Sequence, residues 1–278
     1  MTAADVVDAH VHVWDLAVRD QLWIPPGSPI RATFSVADLR AALAHTGVRQ
    51  VVLVQVINDA AETADFLSAA RREDIVAGVV GWADLAAPGI AAELSGLAAA
   101  GRLVGVRHQA LAEAEPARWL GSRQVRRGLS ELERASLPFD LLLGPAHLGV
   151  ALDVVRAHPS LLFVLNHLGK PAIAAGRLEP WATEIRALAA EPNVCCKLSG
   201  VQTVAGSDWS YGDLAPFLEV ALDAFGAERI LFGSDWPVST RAASYRQVLD
   251  VALRACAALS PDERFAVLAG NARRVYRL

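Results

Sequence analysis

Val51-Val52-Leu53-Val54-Gln55-Val56 is a short stretch with a single polar residue. A run this apolar suits a strand buried on both faces, as in a parallel sheet covered by helices. Outward from it the chain alternates. Downstream, helical patterns at 60–72, 88–100, 123–135, 146–157, 178–190, 214–225 and 243–257 alternate with strand patterns at 75–82, 103–108, 139–143, 161–166, 194–198 and 230–232. A last helical stretch at 261–269 precedes a short tail. Upstream, Ser35 is placed to cap a helix that runs to about 46, where Gly47 stops it. Before that lies a proline-rich loop, 17–33, and a first strand that starts at Val6. Eight strand–helix units with short links predict an α/β fold, a single (β/α)8 barrel over 1–278, because doubly wound open sheets usually stop at fewer strands.

The bulk properties agree. The chain has 278 residues, 53% hydrophobic and 20% charged, with a net charge of -4. That is ample material for a core, and no basic stripe argues for nucleic acid as a partner. No apolar run approaches the ~20 residues that span a bilayer, and the amino end has no leader-like pattern. Three cysteines without disulfide or zinc-ribbon spacing predict a reduced, cytoplasmic setting. A homo-oligomer is compatible with all of this.

In such a barrel the chemistry sits at the carboxyl ends of the strands. The first strand ends in Asp8-Ala9-His10-Val11-His12-Val13-Trp14. Side chains two apart share a face of a strand, so Asp8, His10 and His12 are expected on one wall. The fourth strand ends in Arg107-His108, the sixth in Asn166-His167, the seventh carries Lys197 and Ser199, and the eighth leads into Gly233-Ser234-Asp235-Trp236-Pro237. His147 follows the fifth. Of the seven histidines, only His45 and His158 fall at helix ends. A lysine or aspartate buried in such a place is expensive without a purpose. Neutral imidazoles, or a metal they hold, polarise a carbonyl, and an opposed carboxylate takes a proton from water. His10, His12, His167 and Asp235 therefore point to hydrolysis. Cys195 and Cys196 lie mid-strand with no adjacent base, and no nucleophile elbow or phosphate loop is present.

Taken together, Asp8 to Asp15, Gly105-Val106-Arg107-His108, Asn166-His167-Leu168-Gly169-Lys170-Pro171, Lys197-Leu198-Ser199-Gly200 and Phe232 to Pro237 resemble the amidohydrolase superfamily. The likeness is to the amidohydrolase-2 branch, which holds sugar lactonases and 2-pyrone-4,6-dicarboxylate lactonase. It implies a barrel that opens a small lactone. Asp235 would be the general base, with His167 catalytic beside it. His10, His12 and His167 would polarise the carbonyl, directly or through one divalent metal, zinc first, that Asp235 could also touch. Arg107 and His108 would bind substrate hydroxyls or a carboxylate, with Lys197 and Trp236 expected in the same role. Asn166 stands where relatives usually carry Asp. No lysine closes the fourth strand, which argues against a two-metal centre. A zinc-dependent decarboxylase of the aminocarboxymuconate type and a binding-only barrel are the alternatives. Substrate choice is expected in the loops 17–33 and 203–211, the second carrying Trp209 and Tyr211.

Overall fold

Each apolar run becomes a parallel strand. The computed structural model describes residues 6–278; residues 1–5, where the segment read for a leader begins, lie outside them. The elements in order are β1 (Val6–Val11), α1 (Val36–Ala42), β2 (Val48–Val54), α2 (Ala60–Arg72), β3 (Val76–Gly81), α3 (Ile90–Ala99) and β4 (Leu103–His108). Then come α4 (Pro116–Gly121), α5 (Arg123–Ala135), β5 (Phe139–Leu141), α6 (Leu148–Ala157), β6 (Phe163–Leu165), α7 (Trp181–Ala189) and β7 (Val194–Leu198). The rest is α8 (Val201–Ala205), α9 (Tyr211–Phe225), β8 (Ile230–Phe232), α10 (Tyr245–Ala255), α11 (Pro261–Phe265) and α12 (Asn271–Tyr276).

The eight strands pair in sequence order, β1 to β8. The ring closes where the segment past β8 meets the end of β1: the His12 amide donates to the Trp236 carbonyl (2.7 Å) and the Asp235 amide to the His10 carbonyl (2.8 Å). This is a (β/α)8 barrel. Alternate residues fill it, among them Val52, Val54, Val80, Val164, Cys195 and Leu231. Their neighbours in sequence, such as Val51, Phe163 and Phe232, face the helices. That two-sided burial is why the strands read as continuous apolar runs.

Three differences from the sequence reading have local causes. Helix α1 stops at Ala42, and His45 then turns left-handed (φ 62°) ahead of Gly47. Loop 203–211 begins inside a short helix, α8. The tail after 269 is not a tail: α12 lies against the barrel floor, where Ala269, Ala272, Val275 and Tyr276 pack on Val7, Ala9 and Leu231. Among the described residues, no helix is long and apolar enough to cross a membrane.

Candidate active site

The site begins with a slip in β1. Val7 and Ala9 point into the barrel, so by alternation Asp8 points out and His10 should follow it. The register against β2 shifts between Asp8 and Val11, and an extra residue of this kind re-aims side chains. His10 and His12 therefore turn inward while Asp8 stays outside, a correction to the shared wall expected from spacing. Asp8 instead accepts from the amides of His10 (3.0 Å) and Ser234 (2.9 Å) and from the Tyr245 hydroxyl (2.7 Å). It ties β1 to the segment after β8.

That segment carries Asp235, whose backbone is left-handed (φ 58°). Its Oδ1 lies 3.4 Å from His12 Nε2, 3.7 Å from His10 Nε2 and 3.9 Å from His167 Nε2. His167 opens a run of four left-handed residues, His167 (φ 54°), Leu168 (52°), Gly169 (69°) and Lys170 (54°). Non-glycine residues seldom adopt this conformation, and each costs on the order of 1–3 kcal/mol. The imidazole is seated from below: Ser199 Oγ lies 2.9 Å from Nδ1, and a Cβ on Gly200 would stand 2.7 Å from that same nitrogen.

Burial keeps all three imidazoles neutral. It carries His167 down to about 3 against the pull of Asp235. It lowers His10 far below the usual value, helped by the cations Lys197 and Arg107, and it lowers His12 despite the nearby carboxylate. Burial also works against the charge on Asp235, but His167, His12 and Lys170 outweigh it and hold the carboxyl below its usual value. One ionised carboxylate thus faces three uncharged rings.

His12 donates from Nδ1 to the Val54 carbonyl (2.7 Å), which leaves its Nε2 lone pair free. His10 Nε2 is 3.1 Å from it. His10, His12 and Asp235 each offer one atom within 4.8 Å of the others. Tetrahedral zinc ligands at about 2.0–2.2 Å from the ion sit roughly 3.3–3.6 Å apart, so the donor set fits a divalent metal. His167 stands beside this group rather than within it.

Arg107 reaches the same place from β4. It donates to Gln55 Oε1 (3.1 Å), to the Gln55 carbonyl and to Asn166 Oδ1 (3.2 Å), and lies 3.3 Å from His10 Nε2. Burial lowers it only to about 10, so it stays charged. Asn166 in turn donates to Asp140 (2.9 Å). An aspartate there could not do both without setting two carboxylates side by side. This is what Asn166 does in this chain.

Three expected substrate contacts lie elsewhere. His108 is adjacent to Arg107 and so points the other way. It accepts from Trp82 Nε1 (2.9 Å), meets Glu113 (2.8 Å) and stacks on Trp119 (3.7 Å). Trp236 follows Asp235 and packs edge-on against Phe34. Lys197 is fully buried a layer deeper, 2.6 Å from Asp140 and 3.2 Å from His10 Nδ1. Asp140 also accepts from the Tyr276 hydroxyl (2.7 Å). The sequence reading passed over Asp140, although a carboxylate between Phe139 and Leu141 was a visible signal. His147 lies outside the cavity lining as well.

What remains is a cavity of about 230 Å3 bordered by His12, Trp23, Arg107, His167, Lys170 and Asp235. Trp23 comes from the proline-rich loop 17–33. Polar groups line its base and Val56, Leu142 and Val238 its sides, a mixture suited to a small polar ring.

The chain matches the amidohydrolase family model over residues 7–278. It is 37% identical to an L-fucono-1,5-lactonase of Burkholderia ambifaria, covering 98% of this chain and 95% of that protein. It is 36% identical to an L-fucono-1,5-lactonase of Burkholderia multivorans over 98% of this chain and 96% of that one. A solved amidohydrolase from Burkholderia multivorans with bound zinc superposes with a TM-score of 0.92 at 34% identity, covering 99% of this chain and 100% of its own.

Proposed function

Since this chain belongs to the amidohydrolase family, we propose that its barrel mouth opens the ring ester of a small sugar-derived lactone, an aldonolactone, by direct attack of water. The chain is a hydrolase with a small-molecule substrate, and its near full-length likeness to two lactonases does not favour a decarboxylase or a binding-only barrel. The observation that carries the mechanism is the single ionised carboxylate within 3.9 Å of three neutral imidazoles at the base of a cavity.

In this mechanism water lies against Asp235, which accepts one of its protons as the oxygen adds to the ring carbonyl. The carbonyl electron pair moves onto its oxygen. As the pair returns, the bond to the ring oxygen breaks, and that oxygen takes the proton back from Asp235. The new carboxylic acid loses its own proton to solvent. His167, held by Ser199, orients the carbonyl, and Arg107 supplies fixed positive charge. His10, His12 and Asp235 would hold one divalent ion, zinc by the chemistry of the donor set. When bound, such an ion polarises a carbonyl and acidifies water.

Proton release measured with fucono-, rhamnono- and galactono-lactones tests the activity. We expect turnover of at least one. Asp235→Asn should lower kcat about 10²–10⁴-fold. Wild-type turnover in that variant would remove Asp235 from the mechanism. Elemental analysis of protein purified without added zinc, with and without chelator, tests the ion. Stoichiometric zinc and chelator-sensitive turnover are expected; full activity in metal-free protein would leave the imidazoles to act alone.

A further inference from the structure

We propose that Lys170 is a further catalytic residue: its ammonium takes up the negative charge that grows on the substrate's carbonyl oxygen and then holds the carboxylate of the ring-opened acid. This rests on the lactonase reading above. Lys170 borders the same cavity as Asp235, His167 and Arg107, and it is half-buried. The left-handed run that begins at His167 ends on it, so one strained segment delivers both side chains to the site. Strain of this kind persists where the surrounding structure enforces it, and it gathers at functional sites.

The other cations of the site are engaged by protein groups or exposed. Arg107 is held by Gln55 and Asn166. Lys197 is taken up by Asp140 below the cavity. Arg241 is at the exposed rim. Lys170 alone, among the described cations bordering the cavity, combines partial burial with an ammonium bonded to no protein group. It borders the same cavity as Asp235 and feels that carboxylate's charge, which suits the reaction's charge flow. Attack of water moves the carbonyl pair onto oxygen while the proton goes to Asp235. Negative charge therefore leaves the carboxylate and appears on the substrate, within reach of a cation that needs no rearrangement to meet it. After the ring carbon–oxygen bond breaks, the same oxygen belongs to the product carboxylate.

The test uses the full-length protein, a lactone that the wild type opens and the acid made from that lactone with alkali. Lys170→Met should lower kcat by about 10²–10³-fold with KM changed far less. Inhibition by the acid should weaken about tenfold or more, the loss expected for one charge-assisted contact. Lys170→Arg, which keeps the charge, should recover part of both, and thermal melts of the two variants check folding. Wild-type kcat in Lys170→Met, or unchanged affinity for the acid, would overturn the assignment. If the wild type opens no lactone, the lactonase reading fails instead. Calorimetry of fuconic, rhamnonic and galactonic acids, made with alkali from the lactones tried, on wild type and Lys170→Met then decides the carboxylate contact by itself: equal affinities would overturn it.

Discussion

Asp235 is the negatively charged group at the mouth and the imidazoles around it are uncharged, which fixes the expected pH behaviour. A folded-state pKa held below the ordinary carboxylate value means the active, ionised form is present above that value and is lost as pH falls through it. His10, His12 and His167 are lowered away from the ordinary imidazole value of about 6.5. We therefore expect kcat/KM to stay flat from about pH 6 to 8, with its acid limb below the ordinary carboxylate value. A limb centred near 6.5 in the pH–rate profile would instead make an imidazole the base. At this scale the sequence was legible where residue type itself is diagnostic: His10, His12, His167, Arg107 and Asp235 all meet. It was illegible where depth or reach decides. The strand pattern does not say that Lys197 sits below the cavity, or that a left-handed backbone lifts Lys170 to it.

Between residue and barrel, the element that matters most is the turn after β6, with Gly200 beneath it. Gly200 is left-handed (φ 66°), and a methyl there would strike the His167 ring. Gly206 also has a positive φ (95°, with ψ -166°), but nothing lies within 4 Å of where its Cβ would be. Alanine at either position should reduce stability by about 1–3 kcal/mol through backbone strain. Only Gly200→Ala should also lower kcat, by displacing the imidazole. Melting curves and turnover of the two variants, measured side by side, check this; equal turnover would mean His167 tolerates the shift. Helices such as Ala60–Arg72 and strands such as Leu103–His108 were readable to the residue, because periodicity and caps coincide there. The slip in β1 was not. Alternation predicts a regular strand, and the shift depends on pairing with β2 that no local pattern encodes.

For the whole molecule, the strand count carried the fold, because eight parallel strands return to their starting edge. The floor did not reveal itself. Ala269, Ala272, Val275 and Tyr276 do recur at helical spacing, but Arg273 and Arg274 interrupt them in so short a segment that the apolar face is easily read as a tail. The floor is not passive. Tyr276, Asp140, Lys197 and His10 form one bonded column from the bottom of the barrel to the site. Tyr276→Phe should reduce stability by about 1.5–3 kcal/mol, since a buried carboxylate loses a donor. Urea unfolding measures this, and an unchanged midpoint would mean that Lys197 and Asn166 satisfy Asp140 unaided.

The closure of the ring also sets an order in time. During synthesis β1, carrying His10 and His12, leaves the ribosome before β8, and Asp235 and the floor come after β8. Until they arrive the two imidazoles have no carboxylate opposite them and their strand has an open edge, the circumstance in which wrong pairings and aggregation arise. Catalysis is therefore a late event in the life of each molecule. In a refolding experiment, recovered turnover should report the joining of first strand to last, after helix content has already returned.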